Sequence, residues 1–333
     1  MLVLALLLLS SSWNVQANGK KARAGNRSDA IIIPSPVINY ARPNLHVGTG
    51  LSAGPADIWN PDKGFLVQSI NPESYSLNFP TTGAHNLYFD LLISGVDINE
   101  LTWEPVTLGG ITATVTNVVA NDRWIPQEDK GEVVVRVKLT GPEARNQWYN
   151  PHPNPIVMPQ LPQTFELVGR DINTGDEVVK YGFELRQWFF PRWGDWLRYD
   201  RYSEASAWCN GLGYRMPRVN DLTNTICSEL TGFPCIYGVR GAKPWSRTAF
   251  YMRYIGAGFF TEWGDLGYYA DANFIDTKPY HVKSYWTSDE AGGIEGIYRF
   301  TVAYSDNNEE LDYKGNVFPV QADLGIYTMC TAP

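Results

Sequence analysis

Two closely spaced carboxylates, four cysteines and four histidines are the residues of this 333-residue chain whose types could do chemistry. Glu262 and Asp265 flank Trp263 in the stretch TEWGDLG. A carboxylate pair beside an aromatic ring is the equipment of a glycoside hydrolase, with one acid and one base or nucleophile across the scissile bond. Two carboxylates in one turn are more often simply solvated. No G-x-S-x-G, H-E-x-x-H or P-loop accompanies them. A cysteine nucleophile needs a free thiol and a nearby histidine. His46, His85 and His152 lie far upstream of the cysteines, and His281, after Lys278-Pro279-Tyr280, reads as a loop histidine rather than a base. With no C-x-x-C and no ligand spacing among the histidines, neither a zinc site nor any other cofactor is expected. The acidic turn Asp306, Asn307, Asn308, Glu309, Glu310, Asp312 lacks the D-x-D-x-D-G spacing of a calcium loop and reads as a solvated hairpin tip. The chain is therefore not expected to be an enzyme.

The cysteines have a better use. Cys209, Cys227, Cys235 and Cys330 all fall in the last part of the chain. Their number is even, so two disulfides are expected, with three pairings open. The short Cys227–Cys235 loop is easy to close, which leaves Cys209 with Cys330. An oxidising compartment is consistent with the N-terminus. Residues 2–9, LVLALLLL, form an apolar run too short to span a bilayer, and Val15-Gln16-Ala17 offers small residues at a cleavage site. No Lys or Arg precedes the run, and no cysteine follows it closely enough to carry a lipid. Residues 1–17 are expected to be a secretory signal peptide, and no later segment reads as membrane-spanning. The net charge of −8 argues against a nucleic-acid partner. Aromatics make up 14% of the residues and charged residues only 19%, a mixture that suits short strands and aromatic recognition surfaces.

The elements that must position these residues divide near 190. Residues 18–45 read as a linker or edge strand, with AIIIPSPVINYARP extended. From 46 to 188 the pattern is β: strands are expected at 75–80, 85–93, 110–119, 132–140, 163–170 and 177–190, with a hairpin turn in DINTGDE where Gly175 takes positive φ. This reads as an immunoglobulin-like β-sandwich, without the Cys…Trp…Cys signature. From 189 to 333 the chain turns α+β. Ser203 is placed to cap a short helix with Glu204 in its first turn, and Ala205, Trp208, Cys209 and Leu212 make one buried stripe that ends at Gly211 and Gly213. A second short helix starts at Asp221 under an Asn220 cap, with Leu222 and Ile226 facing inward. Aromatic and Gly-rich loops follow, then strands at 284–290, 297–304 and 326–330.

The order of these features carries a resemblance. Ala207, Trp208 and Cys209 on the helix, then Gly213, the Arg215-Met216-Pro217 step, Leu222, the Tyr285-Trp286 and Ser288 strand, and Tyr327 with the terminal Cys330 resemble the C-type-lectin-like tip of intimin and invasin adhesins. The resemblance implies an immunoglobulin-like domain ahead of the lectin-like one, and a Cys209–Cys330 disulfide joining the first helix to the last strand. Intimin and invasin carry a membrane β-barrel on the same chain, and none is read here. The chain thus looks more like the small exported ZirS- and ZirU-type proteins of enterobacteria, which resemble adhesin tips. The E-P-N, Q-P-D and W-N-D signatures of sugar-binding lectins are absent.

Three functions follow. The first is a secreted or surface-delivered, adhesin-like binding protein that reaches the outside through the periplasm, contacts a protein or surface receptor of host or bacterium, and modulates virulence. Its contact surface is expected at Trp245, Arg247, Tyr251, Arg253, Tyr254, Trp263, Tyr268 and Tyr269, where arginines and aromatics interleave as in interface hot spots. Against this stands the ordinary use of such rings, which is to fill the core of a loop-rich fold. The second makes the chain cargo of an invasin-like outer-membrane transporter. The third is a glycan-modifying hydrolase using Glu262 and Asp265.

Overall fold

The structure, a computed structural model, describes residues 35–192, 200–226, 239–274, 283–291, 298–305 and 314–332. In chain order its strands are β1 (Val37–Arg42), β2 (Trp59–Asn60), β3 (Gly64–Leu66), β4 (Thr82–Ala84), β5 (Tyr88–Ser94), β6 (Leu101–Trp103), β7 (Val106–Leu108), β8 (Ile111–Val119), β9 (Val133–Thr140), β10 (Gln163–Asp171), β11 (Glu177–Leu185), β12 (Gln187–Arg192), β13 (Lys283–Glu290), β14 (Tyr298–Ser305), β15 (Val317–Gln321) and β16 (Thr328–Thr331). Its α-helices are α1 (Tyr202–Gly211), α2 (Val219–Leu222) and α3 (Phe259–Trp263). The protein is thus mainly β, and no helix among the described residues is long and apolar enough to cross a membrane.

Alternation shapes the first part. Ile111, Ala113 and Val115 on β8, and Phe165 and Leu167 on β10, turn inward while their neighbours do not. The strands form a seven-stranded sheet in the order β2-β3-β1-β5-β9-β8-β7 and a three-stranded sheet in the order β11-β10-β6. Aromatic rings fill the space between: Phe89 on β5 meets Phe183 on β11 edge to face at 6.1 Å, and Phe165 stacks on Phe183 at 5.1 Å. The β10–β11 hairpin turns at Gly175, whose φ is 77° and whose N–H donates to the Asp171 carbonyl at 2.8 Å.

Local chemistry departs from the expected pattern at four places. The strand expected at 75–80 is replaced by a 3₁₀ turn, Pro72–Leu77. Asn71 caps it by accepting the Glu73 N–H, Pro72 starts it, and that capping outweighs the alternation that follows. The stretch 177–190 is two strands. It breaks at Arg186, whose N–H donates to the Thr81 carbonyl at 2.7 Å, and β12 then joins another sheet, in the order β16-β12-β4. β1 lies between β3 and β5 rather than at an edge, because its two ladders use both sides of the backbone. Ile226 is exposed, whereas Leu222 is fully buried as expected.

β12 crosses the boundary expected at 188/189. It pairs in parallel with β4 and antiparallel with β16, so the early and late parts of the chain share one sheet. α1 lays its stripe of Ala205, Trp208, Cys209 and, just past its end, Leu212 against this junction, all fully buried. The helix starts two residues earlier than the Ser203 cap would place it: Arg201 is the N-cap, and the Glu204 carboxylate accepts the Arg201 N–H at 3.0 Å. α2 repeats the device, with Arg218 rather than Asn220 as N-cap and Asp221 accepting the Arg218 N–H at 2.7 Å. Cys209 is disulfide-bonded to Cys330, with Cα atoms 5.5 Å apart. Cys227 and Cys235, like His281, residues 306–312 and residues 1–17, lie outside the described residues.

The residues that carry the adhesin-tip resemblance knit this junction together. Arg215 and Thr331 exchange backbone hydrogen bonds at 3.2 and 2.9 Å, and Ser288 N–H donates to the Pro217 carbonyl at 2.8 Å. Trp286 N–H donates to the Tyr327 carbonyl at 3.1 Å, while its indole N–H donates to the Asp200 carbonyl at 2.8 Å. Their role is to close the fold.

Candidate binding site

Of the eight residues expected at a contact surface, the structure buries four. Tyr251, Arg253, Trp263 and Tyr269 are all fully enclosed. Trp263 donates its indole N–H to the Thr82 carbonyl at 3.0 Å and packs edge-on against Phe79 at 4.9 Å. The Tyr269 hydroxyl donates to the Trp263 carbonyl at 3.2 Å and accepts the Asn44 N–H at 2.7 Å. The Arg253 guanidinium lies 4.2 Å over the Trp59 ring and donates to the Asn44 carbonyl at 3.0 Å. Burial lowers the pKa of that guanidinium, and the neighbouring Tyr251 and Tyr269 oppose the shift. These four residues cannot touch a partner, because rings and an arginine stem that pack among other rings gain more from burial than from water. Tyr268 is half-buried beside His46, with ring centroids 4.5 Å apart, away from the remaining three.

Those three, Trp245, Arg247 and Tyr254, come together. With Leu51, Pro55, Pro244 and Met252 they line an open groove of about 590 Å³. Leu51 is 69% exposed and Trp245 38%, unusual values for large apolar side chains side by side. The groove has two walls, and each is fixed from below. On one side, Asn224 is buried and clamps Met252: its amide N–H donates to the Met252 carbonyl at 2.8 Å, and its amide oxygen accepts the Met252 N–H at 3.0 Å. The Asn224 carbonyl accepts Ser246 N–H at 2.9 Å, and Trp245 donates its indole N–H to Gly241 at 3.0 Å. On the other side, residues 50–55 dock through the Arg253 N–H, which donates to the Ser52 carbonyl at 3.0 Å. The walls can approach this closely because position 54 is glycine; a Cβ there would stand 2.1 Å from the Arg253 carbonyl oxygen. Arg253 thus holds the groove's floor rather than its surface.

The groove's surroundings are basic. Arg240 lies over the Trp245 ring at 4.5 Å and Lys243 at 5.3 Å, and both are exposed, as is Arg247. No Asp or Glu lines the groove, and none occurs between Val239 and Thr261.

The carboxylate pair has a different use. Glu262 on α3 is fully buried, and its two oxygens accept hydrogen bonds from Thr81 N–H (3.0 Å) and hydroxyl (2.9 Å), from Thr82 N–H (2.9 Å) and hydroxyl, and from Gly256 N–H (2.8 Å). Burial raises its pKa, and the bonds from Thr82, Gly256 and Thr81 pull it back. Asp265 is also buried and caps a 3₁₀ turn through Gly267 N–H at 2.9 Å. The hydrolase arrangement needs two acids facing a shared cleft. Here one is sealed and tied to the strand opposite, so Glu262 and Asp265 are structural groups and not a catalytic pair. Among the described residues no cluster of His, Cys, Asp and Glu could hold a metal ion.

No protein-family model matches this sequence, and no curated protein matches it significantly. Among solved structures, the crystal structure of invasin, described as a bacterial integrin-binding protein, is similar over 90% of this chain and 40% of its own, with a TM-score of 0.45 and 14% identity. The chain spans well under half the length of that structure.

Proposed function

We propose that this protein is an exported, adhesin-like binding protein that meets a protein partner on a host or bacterial surface through the Trp245 groove. The observation that carries the reading is the groove itself: an exposed tryptophan and leucine beside a half-buried tyrosine, set in walls that buried Asn224 and Arg253 hold in place. A rigid aromatic site with little side-chain entropy left to lose is what a binding hot spot requires. The order of adhesin-tip motifs in the sequence, from Trp208 to Cys330, supports the same class.

Binding is tested with labelled protein titrated onto intact epithelial cells and intact bacteria. Trp245→Ala should weaken saturable binding by about thirtyfold, the effect of a hot-spot tryptophan. Leu51→Glu, at a position exposed enough not to perturb folding, should do the same. Undiminished binding by both variants, each with the wild-type melting temperature, would refute the groove's role. Export is tested separately by intact mass of the protein in culture fractions. Protein outside the cytoplasm should lack residues 1–17; protein confined to the cytoplasm with its N-terminus retained would contradict export.

A further inference from the structure

The groove's electrostatics narrow its occupant. The chain as a whole carries −8, yet the segment from Val239 to Tyr254 carries four cations and no anion. Arg253 is used internally, which leaves Arg240, Lys243 and Arg247 exposed around the rim. Among the described residues no carboxylate pairs with any of the three; the ion pairs of the structure lie elsewhere. Three cations with no carboxylate partner among the described residues, exposed on an acidic protein, repel one another and attract an anion from outside. Arg240 and Lys243 also hold their positions over the Trp245 ring, so a ligand meets charge and apolar surface at the same point.

The lining also discriminates between kinds of anion. A sugar needs convergent polar groups for its hydroxyls, above all side-chain carboxylates and amides. No Asp, Glu, Asn or Gln lines the groove; apart from Arg247 and the single hydroxyl of Thr248, its walls are Leu51, Pro55, Pro244, Trp245, Met252 and Tyr254 with small residues between them. Such walls accept an aliphatic or aromatic side chain. Nucleic acid would need a longer basic track than three side chains in a chain of net charge −8.

We infer that the groove takes an acidic peptide segment of its protein partner, which seats an apolar side chain between Leu51, Trp245 and Tyr254 and sets carboxylates against Arg240, Lys243 and Arg247. This rests on the reading of the groove as the contact surface.

The probe is a fluorescent random copolymer of glutamate and tyrosine, titrated with the full chain and read by anisotropy. Wild type should bind it. The combined Arg240→Glu/Lys243→Glu variant should bind at least about tenfold more weakly at an unchanged melting temperature, and a rise from ~50 to ~300 mM salt should weaken wild-type binding several-fold. Absence of copolymer binding, or equal binding by wild type and the charge-reversed variant, overturns the inference. Heparin serves as the sulfated-glycan competitor, and displacement of the copolymer by less heparin than unlabelled copolymer, counted per anionic group, overturns it in favour of a glycan. The same variants on cells separate the two claims. If Trp245→Ala and Leu51→Glu lose cell binding while Arg240→Glu/Lys243→Glu retains it, the groove stands and the acidic partner falls. If none of them loses it, both fall.

Discussion

Replacing Cys209 and Cys330 together by alanine should lower the stability of the protein by about 5 kcal/mol, the loop-closure entropy expected for a bridge across this sequence separation. The two cysteines are 121 residues apart, so the bridge removes a large set of unfolded conformations. It also sits at the point where α1 and β16 meet β12, the strand shared by early and late parts of the chain. For a chain of this size the loss corresponds to a melting temperature roughly 8 °C lower. Thermal unfolding of the double variant checks it, and a fall of less than about 2 °C would mean that unfolded-state structure already holds the loop closed. Cys227→Ala/Cys235→Ala gives the internal comparison. If these two are bridged as the sequence suggests, their short loop should contribute only about half as much.

Glu262→Ala should cost about 3–5 kcal/mol, a range reserved for buried groups whose partners are left unpaired. Alanine would strand the N–H groups of Thr81, Thr82 and Gly256 with no acceptor and no room for several waters. The tie between α3 and β4 would go with them. The acid also titrates in a defined direction. Because burial holds its folded pKa above the ordinary value of 4.5, the folded state keeps the proton longer than the unfolded chain does. Its contribution to stability is therefore fully present below pH 4.5 and declines as the pH rises through the folded value. The hydroxyls of Thr81 and Thr82 can turn from donor to acceptor, so the site accommodates both states. Glu262→Gln has no proton to lose. The stability of wild type relative to this variant should fall with rising pH over that window, measured by melting temperature across a buffer series. A relative stability that rises with pH would instead mean that the five donors hold the acid ionised in the fold.

What the sequence makes legible follows from how local the physics is. The α1 stripe of Ala205, Trp208, Cys209 and Leu212 is readable because helical spacing alone places it, and β8, β9 and β10 because alternation alone does. The aromatic loops have no period to read. Tyr251, Arg253, Trp263 and Tyr269 look no different in sequence from Trp245 and Tyr254, yet the first four are enclosed by partners distant in the sequence: Tyr251 packs beside Gly315 and donates its backbone N–H to the Lys314 carbonyl at 3.1 Å. Arg253 is covered by Trp59 and Phe65, and Trp263 by Phe79 and Thr82. Glu262 is similarly silent, because its five donors come mainly from Thr81 and Thr82 some 180 residues away. The far wall of the groove, GLSAGP, gives no signal beyond an exposed leucine among small residues, and Asn224 gives none at all. A clue to the groove that is visible without coordinates is the charge pattern, a run of cations free of acids in an acidic chain.

Photo-cross-linking on intact cells separates a partner that contacts the groove from one that contacts another face. A photoreactive residue is placed at Leu51, on the groove, or at Ile172, a similarly exposed apolar position in the β10–β11 turn and not part of the groove lining. The expected result is a discrete adduct from position 51 that Trp245→Ala abolishes, and none from position 172. An adduct from position 172 with none from position 51 would overturn the groove's role and move the contact surface to the β10–β11 hairpin.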